Sequence, residues 1–405
     1  MATKSSIMDT NSYSDDYVSL LSATTKDMIS RREKWMGGAY RLFYRKPVNL
    51  VRGKGQYLWD AEGNKYLDMY NNVAGIGHCH PAVVEAVTEQ MKLLNTHTRY
   101  LHERIIDYSE DLLAMMPGEI DKIMFMCTGS EANDLALRVA QEYTGGTGII
   151  VSREAYHGTS ALTSGCSPAL GSEQPLLPNV RLIDTPDYYR HGGTPEEFTA
   201  WYSGEMQKKI DELAAAGYKF SCFLADSIFS SDGVHPDPVG FLKAAIDVVH
   251  KNGGVFIADE VQPGFARTGD AFWGFARHGI IPDMVTTGKP MGNGIPISGL
   301  AAKHEVLEAA KQHPAWETGK DNEYVEMTYQ TLVGLGQDVK KIYWQFGTDG
   351  SVIRGKYNIP TIGYSGAMMS QAHQAQEHVE INRVLDCIEG YTAVLCKLYG
   401  LVMPE

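Results

Sequence analysis

Asp259 and Lys289 are the pair of side chains in this sequence whose types and setting could do chemistry together. Asp259 closes the apolar run Gly254–Ala258. Lys289 follows a second run, Met284–Thr287, and is flanked by Gly288, Gly292 and Gly294. A lysine beside a glycine-rich loop can form an imine with a carbonyl compound, and once displaced its amine can carry a proton. An acid fixed one strand away can keep a pyridine nitrogen protonated. A displaceable anchor and a counter-ion that makes the ring an electron sink are what pyridoxal phosphate chemistry asks of a protein. An exposed solubilising lysine is the plainer reading, and it fits poorly with an apolar strand leading in.

Other groups fall in similar places. In CTGSEAND, Gly129 lets the backbone turn tightly and Ser130 opens a helix. Unpaired amides at a helix start, with the positive end of the macrodipole, make a phosphate site of Thr128, Gly129 and Ser130; the alternative is that Ser130 is an ordinary N-cap. Tyr156 and His157 follow a strand and precede Gly158. Tyr156 could equally cap the sheet edge, and His157 could be a hydrogen-bonded histidine behind the site. Asp226 ends the run Phe220–Ala225 and reads as a supporting residue. His78 and His80 suggest metal binding, but their spacing suits a loop before a helix that starts at Pro81.

The elements that must position these groups are legible in the periodicity. Lys122–Met126, Gly148–Val151, Phe220–Ala225, Gly254–Ala258 and Met284–Thr287 read as strands buried on both faces. Between them, Ala132, Leu135, Ala136, Val139, Ala140 and Tyr143 keep helical spacing up to Gly145–Gly146, and Phe241–His250 gives a second helix. Strands alternating with helices predict an α/β fold with a mostly parallel sheet. The polar residues above all fall at strand C-terminal ends, where open α/β sheets place ligands.

Composition narrows the function classes. The chain has 405 residues, enough for more than one domain, and no apolar run near the ~18 residues of a membrane span. A net charge of −13 argues against a nucleic-acid surface, which would be basic. Six scattered cysteines without a CxxC read as reduced thiols in a cytoplasmic protein. Residues 1–30 lack an apolar leader core and read as an arm.

The segments GQYLWDAEGNKYLD, GHCHPAVVEAV, TRYLHE, CTGSEANDLALRVA, AYHG, FLADSIFSSDGV, IADEVQPGFARTG and TTGKPMGNGIPISGLAA, in this order, resemble a class III aminotransferase, a fold-type I pyridoxal phosphate enzyme, over residues 31–310. The resemblance implies pyridoxal 5′-phosphate as cofactor, Lys289 as its Schiff-base residue and Asp259 as the pyridinium partner. It places Tyr156 on the ring, Val261 against the ring face and Gln262 near the phenolic oxygen. Where many relatives carry Glu-Pro, this chain has Asp226–Ser227. The implied reaction moves an amino group from an amine or ω-amino acid to a 2-oxo acid within a homodimer. Some relatives instead eliminate phosphate from phospho-amines.

Past Lys311 the resemblance changes. The Thr-Phe-Gly-Gly-Asn-Pro turn of relatives is missing, and of the tail arginines neither Arg354 nor Arg383 sits in a matching motif. Residues 311–405 are instead similar to the end of an M20-family metallohydrolase, in which His373 occupies a metal-ligand place. One imidazole is not a binuclear site, so no metal is expected. The tail reads as a smaller α/β lobe, with a turn and strand in GKYNIPTIGY and an amphipathic helix over Glu380–Leu398. The chain is expected to be a transaminase joined to an M20-like end-piece. A metal-dependent amidohydrolase and an inactive fusion are the alternatives.

Overall fold

A computed structural model describes residues 11–38, 41–70, 73–98, 100–309, 322–339 and 381–403. The chain separates into two compact units, residues 1–310 and 311–405. Among the described residues, no helix is long and apolar enough to cross a membrane.

The first unit opens with helix α1 (Ala23–Trp35), whose start is capped by the Ser22 hydroxyl accepting from the Thr25 amide. A small antiparallel sheet follows, β1 (Leu50–Lys54), β2 (Tyr57–Asp60) and β3 (Lys65–Leu67). Its β2–β3 turn closes on the Asp60 carboxylate, which accepts from the amides of Glu62 and Asn64, the Asn64 side chain and the Tyr66 hydroxyl. Helix α2 (Pro81–Leu93) has proline at its first position, and α3 (Glu103–Leu113) leads to the main sheet.

That sheet alternates with helices in chain order: β4 (Ile120–Met126), α4 (Gly129–Thr144), β5 (Gly148–Ser152), the short turns α5 (Ala161–Ser164) and α6 (Tyr188–His191) around β6 (Val180–Ile183), then α7 (Pro195–Ala215), β7 (Phe220–Ala225), α8 (Phe241–Lys251), β8 (Val255–Asp259), β9 (Met284–Thr287), β10 (Ser298–Lys303) and α9 (His304–Glu308). Its spatial order is β4-β10-β9-β8-β7-β5-β6. β10 pairs antiparallel with both β4 and β9, while β9-β8-β7-β5-β6 pair in parallel. The five strands expected between residues 122 and 287 are all present. β5, β7, β8 and β9 are buried throughout. β4 is not, contrary to the sequence reading: it forms a sheet edge, and Asp121 and Met124 are exposed.

Period-two alternation divides the core. Val255 and Ile257 of β8, with Cys222 and Leu224 of β7, face α4 through Ala136, Leu137 and Ala140. Phe256 and Ala258, with Phe223, face the opposite layer of α7 and α8, where Phe198, Tyr202 and Phe241 pack edge to face. At the N-terminal edge of the strands, Asp283 accepts from His250, Lys303 and the Phe256 amide, joining α8, β8 and β10.

In the second unit, α10 (Glu323–Gly334) packs against α11 (Ile381–Tyr399), and the Gln337 side chain donates to the Asp386 carbonyl at 2.8 Å. The latter helix matches the one expected over Glu380–Leu398. The strand expected in GKYNIPTIGY lies outside the described residues, as do Arg354 and His373.

Phe256 is fully buried beside Phe223. Phe256→Ala should therefore lower unfolding free energy by about 3–5 kcal/mol, read as a shift of the urea midpoint at unchanged slope.

Candidate functional site

The alternation that divides the core also aims the polar residues. Continuing past β7 and β8 on the α4 side gives Asp226 and Asp259, and register pairs Asp259 with Thr286 of β9. Lys289 follows three residues on. Gly129, Ser130, Asn133, Tyr156, His157, Gly158, Asp226, Asp259, Val261, Gln262 and Lys289 thereby line one cavity of about 160 Å³.

Asp259 is buried and well supplied with donors. Its Oδ2 accepts from Asn133 Nδ2 at 2.9 Å and His157 Nδ1 at 2.8 Å, and its Oδ1 from the Val261 amide at 3.1 Å. Asn133 is held in turn: its Oδ1 accepts from the Thr286 hydroxyl at 2.6 Å, and its Nδ2 also reaches the His157 carbonyl. The His157 amide donates to the Ser167 hydroxyl, while His157 Nε2 is buried without a partner. Burial at a strand end demands donors for the Asp259 carboxylate, and α4 supplies one of them. Asn133 and Thr286 were missed from sequence. The available signal was a polar residue, Asn133, on the helical stripe with Leu137 and Ala140.

The start of α4 forms the second part. Its N-cap is Thr128, in a capping box with Glu131. The Thr128 hydroxyl accepts from the Glu131 amide, and the Glu131 carboxylate accepts from the Thr128 and Cys127 amides. The Thr128 side chain is therefore spent on the helix itself, and Ser130 is not the cap. The amides of Gly129 and Ser130, at the first two helical positions, have no intrahelical carbonyl within reach and sit at the cavity wall. Two close approaches shape that wall. A Cβ on Gly129 would meet both Val261 methyls at 3.0 Å, and one on Gly288 would meet Val261 at 3.3 Å. Gly158, at φ 138°, lies where a Cβ would come within 2.5 Å of Ser130 Oγ, which accepts from the Thr159 amide.

Lys289 begins a single 3₁₀ turn at φ 24°. Burial lowers its amine below the usual lysine range, the carboxylates of Asp259 and Asp226 oppose that shift, and the Arg267 guanidinium adds to it. Asp226 accepts from the amides of Ile228 and Ser230 and from the Ser230 hydroxyl, yet burial pushes it to about 6. Tyr156 borders the opening, its phenol raised by burial. The turn after Lys289 is braced by Asn293, which accepts from the Ile76 amide and donates to the Gly77 carbonyl.

On the other face of β8, alternation turns Glu260 into the opposite layer. There it accepts from the Ser227 hydroxyl at 2.7 Å and from the amides of Gly274 and Phe275. Full burial raises it to about 7 despite these donors. Sequence reasoning gave Glu260 no role. Metal binding by His78 gains no ligand set: its Nε2 donates to Asp68 at 2.7 Å, and no cluster fit for a metal occurs among the described residues.

These features fit a phosphorylated pyridine aldehyde. Free helix amides face a phosphate position that no Cβ obstructs, a donor-rich carboxylate suits a ring nitrogen, and a buried amine of lowered basicity suits a carbonyl.

Known proteins share the arrangement of the chain. The aminotransferase class-III family profile matches residues 43–318. A Drosophila melanogaster alanine–glyoxylate aminotransferase 2-like protein is 38% identical, covering 70% of this chain and 59% of that protein. A Caenorhabditis elegans ethanolamine-phosphate phospho-lyase homologue is 34% identical, over 71% of this chain and 66% of its own length. A solved phospholyase from Arthrobacter, in complex with phosphoethanolamine, superposes with a TM-score of 0.67 at 39% identity, covering 71% of this chain and 68% of that one. The chain thus spans less than two thirds of the curated relatives' length.

Glu260 gives a pH dependence with a definite sign. Its folded pKa lies above that of an unfolded glutamate, so the folded state holds the extra proton and stability falls as pH rises from about 4.5 to 7. The stability advantage of wild type over Glu260→Gln should shrink across that window, by at most about 3 kcal/mol, in urea titrations at each pH.

Proposed function

Since this chain belongs to the class III aminotransferases, we propose that it uses pyridoxal 5′-phosphate to move an amino group from an amine or ω-amino acid to a 2-oxo acid. The observation that carries this reading is the buried Lys289 amine in the same cavity as the donor-held Asp259 carboxylate. When bound, the cofactor supplies a carbonyl for the amino group and a ring that takes up electrons. Asp259 would hold the proton on the ring nitrogen, with Asn133 and His157 keeping its carboxylate oriented. The Gly129 and Ser130 amides would bind the phosphate. Tyr156 and Val261 would hold the plane of the ring, and Gln262 would donate to its phenolic oxygen. Lys289 Nζ, less basic than an exposed lysine, anchors the cofactor and then carries the proton to and from the substrate Cα. Asp226 supports the site as a second buried acid.

A second reading draws on the phospho-lyase relatives: the same residues would serve elimination of phosphate from a phospho-amine. For residues 311–405 we infer an M20-like end-piece joined to the aminotransferase region, a reading supported by sequence likeness. We also infer a cytoplasmic homodimer, supported by the cysteine pattern and family likeness.

Protein loaded with the cofactor should show a visible absorption band that shifts on adding amine. Lys289→Ala should lose the band and at least about 10²-fold in rate, and Asp259→Asn should keep the band with a comparable loss. A colourless wild type that takes up no cofactor overturns the reading. Incubation with ethanolamine phosphate and no 2-oxo acid decides between the two reactions: release of inorganic phosphate marks elimination, and its absence alongside amine-dependent turnover marks transamination. Either activity should survive EDTA.

A further inference from the structure

Lys289 is held in a backbone conformation that lysine seldom adopts. Its φ of 24° and the φ of 48° at Asn293 both fall in the left-handed region, where residues other than glycine are uncommon. The two positions bracket one tight turn: the 3₁₀ segment runs from Lys289 to Gly292, and Asn293 closes it. Within the turn the Met291 amide donates to the Gly288 carbonyl at 2.9 Å and the Asn293 amide to the Pro290 carbonyl at 3.1 Å. Those bonds shape the turn, but a left-handed lysine persists only where its surroundings hold it.

The hold comes from a loop 217 residues earlier in the chain. Asn293 Oδ1 accepts from the Ile76 amide at 3.1 Å, and its Nδ2 donates to the Gly77 carbonyl at 3.0 Å. Both ends of one side chain are thus used on neighbouring residues of the loop. The approach is close as well, since a Cβ on Gly75 would come within 3.3 Å of Pro290 Cβ. The loop is fixed from behind. Gly55 and His78 exchange backbone hydrogen bonds at 3.0 and 2.8 Å, and a Cβ on Gly77 would meet Gly55 Cα at 2.9 Å. His78 Nε2 is tied to the Asp68 carboxylate at 2.7 Å. The connection therefore runs from the β1–β2 hairpin, through this loop, to the turn that carries the lysine.

Position matters for what this lysine does. It lines the cavity, and its amine reacts only if it meets a carbonyl carbon in the right geometry. In the linking step Nζ and the aldehyde carbon form a double bond, and both amine hydrogens leave with the aldehyde oxygen as water. A lysine that must first be driven into the left-handed turn forms that bond less favourably than one already held there.

We propose that Asn293 is the positioning residue for the anchoring lysine. By fastening the Lys289 turn to the Ile76–Gly77 backbone it keeps Nζ placed for a carbonyl, and it makes the segment from Gly55 to His78 part of the anchor. The inference deepens the cofactor reading of the site and rests on it. Asn293 then governs covalent capture of the cofactor and leaves the seat for its phosphate and ring as it is.

The test compares two ligands of the full chain: pyridoxal 5′-phosphate, and pyridoxine 5′-phosphate, in which an alcohol replaces the aldehyde so that no link can form. The ratio of their dissociation constants isolates the covalent contribution. Wild type should hold the aldehyde more tightly than the alcohol. Asn293→Gly tolerates the backbone conformation and lacks both side-chain bonds. In it the ratio should fall about 10-fold while affinity for the alcohol stays unchanged. Asn293→Asp keeps the acceptor for the Ile76 amide and loses the donor to Gly77, and its ratio should lie between the two. Should Asn293→Gly bind neither compound, the Asn293→Asp ratio decides in its place. An unchanged ratio, or equal weakening of both ligands, overturns the proposal, while a wild-type preference for the aldehyde leaves the cofactor reading standing. If wild type holds the aldehyde no more tightly than the alcohol, the cofactor reading fails and the proposal with it.

Discussion

Asp259 holds a buried carboxylate, and removing such a group from solvent costs several kcal/mol unless donors replace the lost hydration. Much of the surrounding architecture follows from that demand. Asn133 sits on the buried stripe of α4 because the carboxylate needs its amide, and Thr286 is polar inside a buried strand because Asn133 needs a donor for its own oxygen. His157 completes the set and is itself fixed through Ser167. The chain of partners crosses from β8 to α4 to β9, so the charge cannot shift without disturbing the layer that packs on the sheet.

The fold was legible where physics is local. β5, β7, β8 and β9 show as mostly apolar runs because both faces are covered, and α4 and α8 show as stripes ended by glycine or asparagine. What was not legible depends on assembly. Nothing in Ser298–Lys303 says that it inserts antiparallel between β4 and β9, and so nothing says that β4 ends up at an edge with Met124 exposed.

The site divides along the same line. Lys289 and Asp259 could be read because residue type, flanking glycines and strand ends coincide, and Val261, Gln262 and Tyr156 came with the resemblance. Thr128 could not be separated from Ser130 as the helix cap, since either hydroxyl is one turn from a suitable amide. Glu260 was given no role, since residue type alone does not say which face it takes at the strand end. The structure turns it inward, where alternation gives Asp259 and Glu260 opposite faces and separate sets of donors.

The position of Val261 between Gly129 and Gly288 has a consequence for how such a protein can change over time. Its methyls fill the space that two absent side chains leave, so the anchor strand and the helix start are spaced by a single isopropyl group. Any larger residue at the three positions would part the two ends of the seat together. Drift in this region is therefore confined to correlated changes, and novelty has to enter from the outer loops, which can be rewritten without moving the seat.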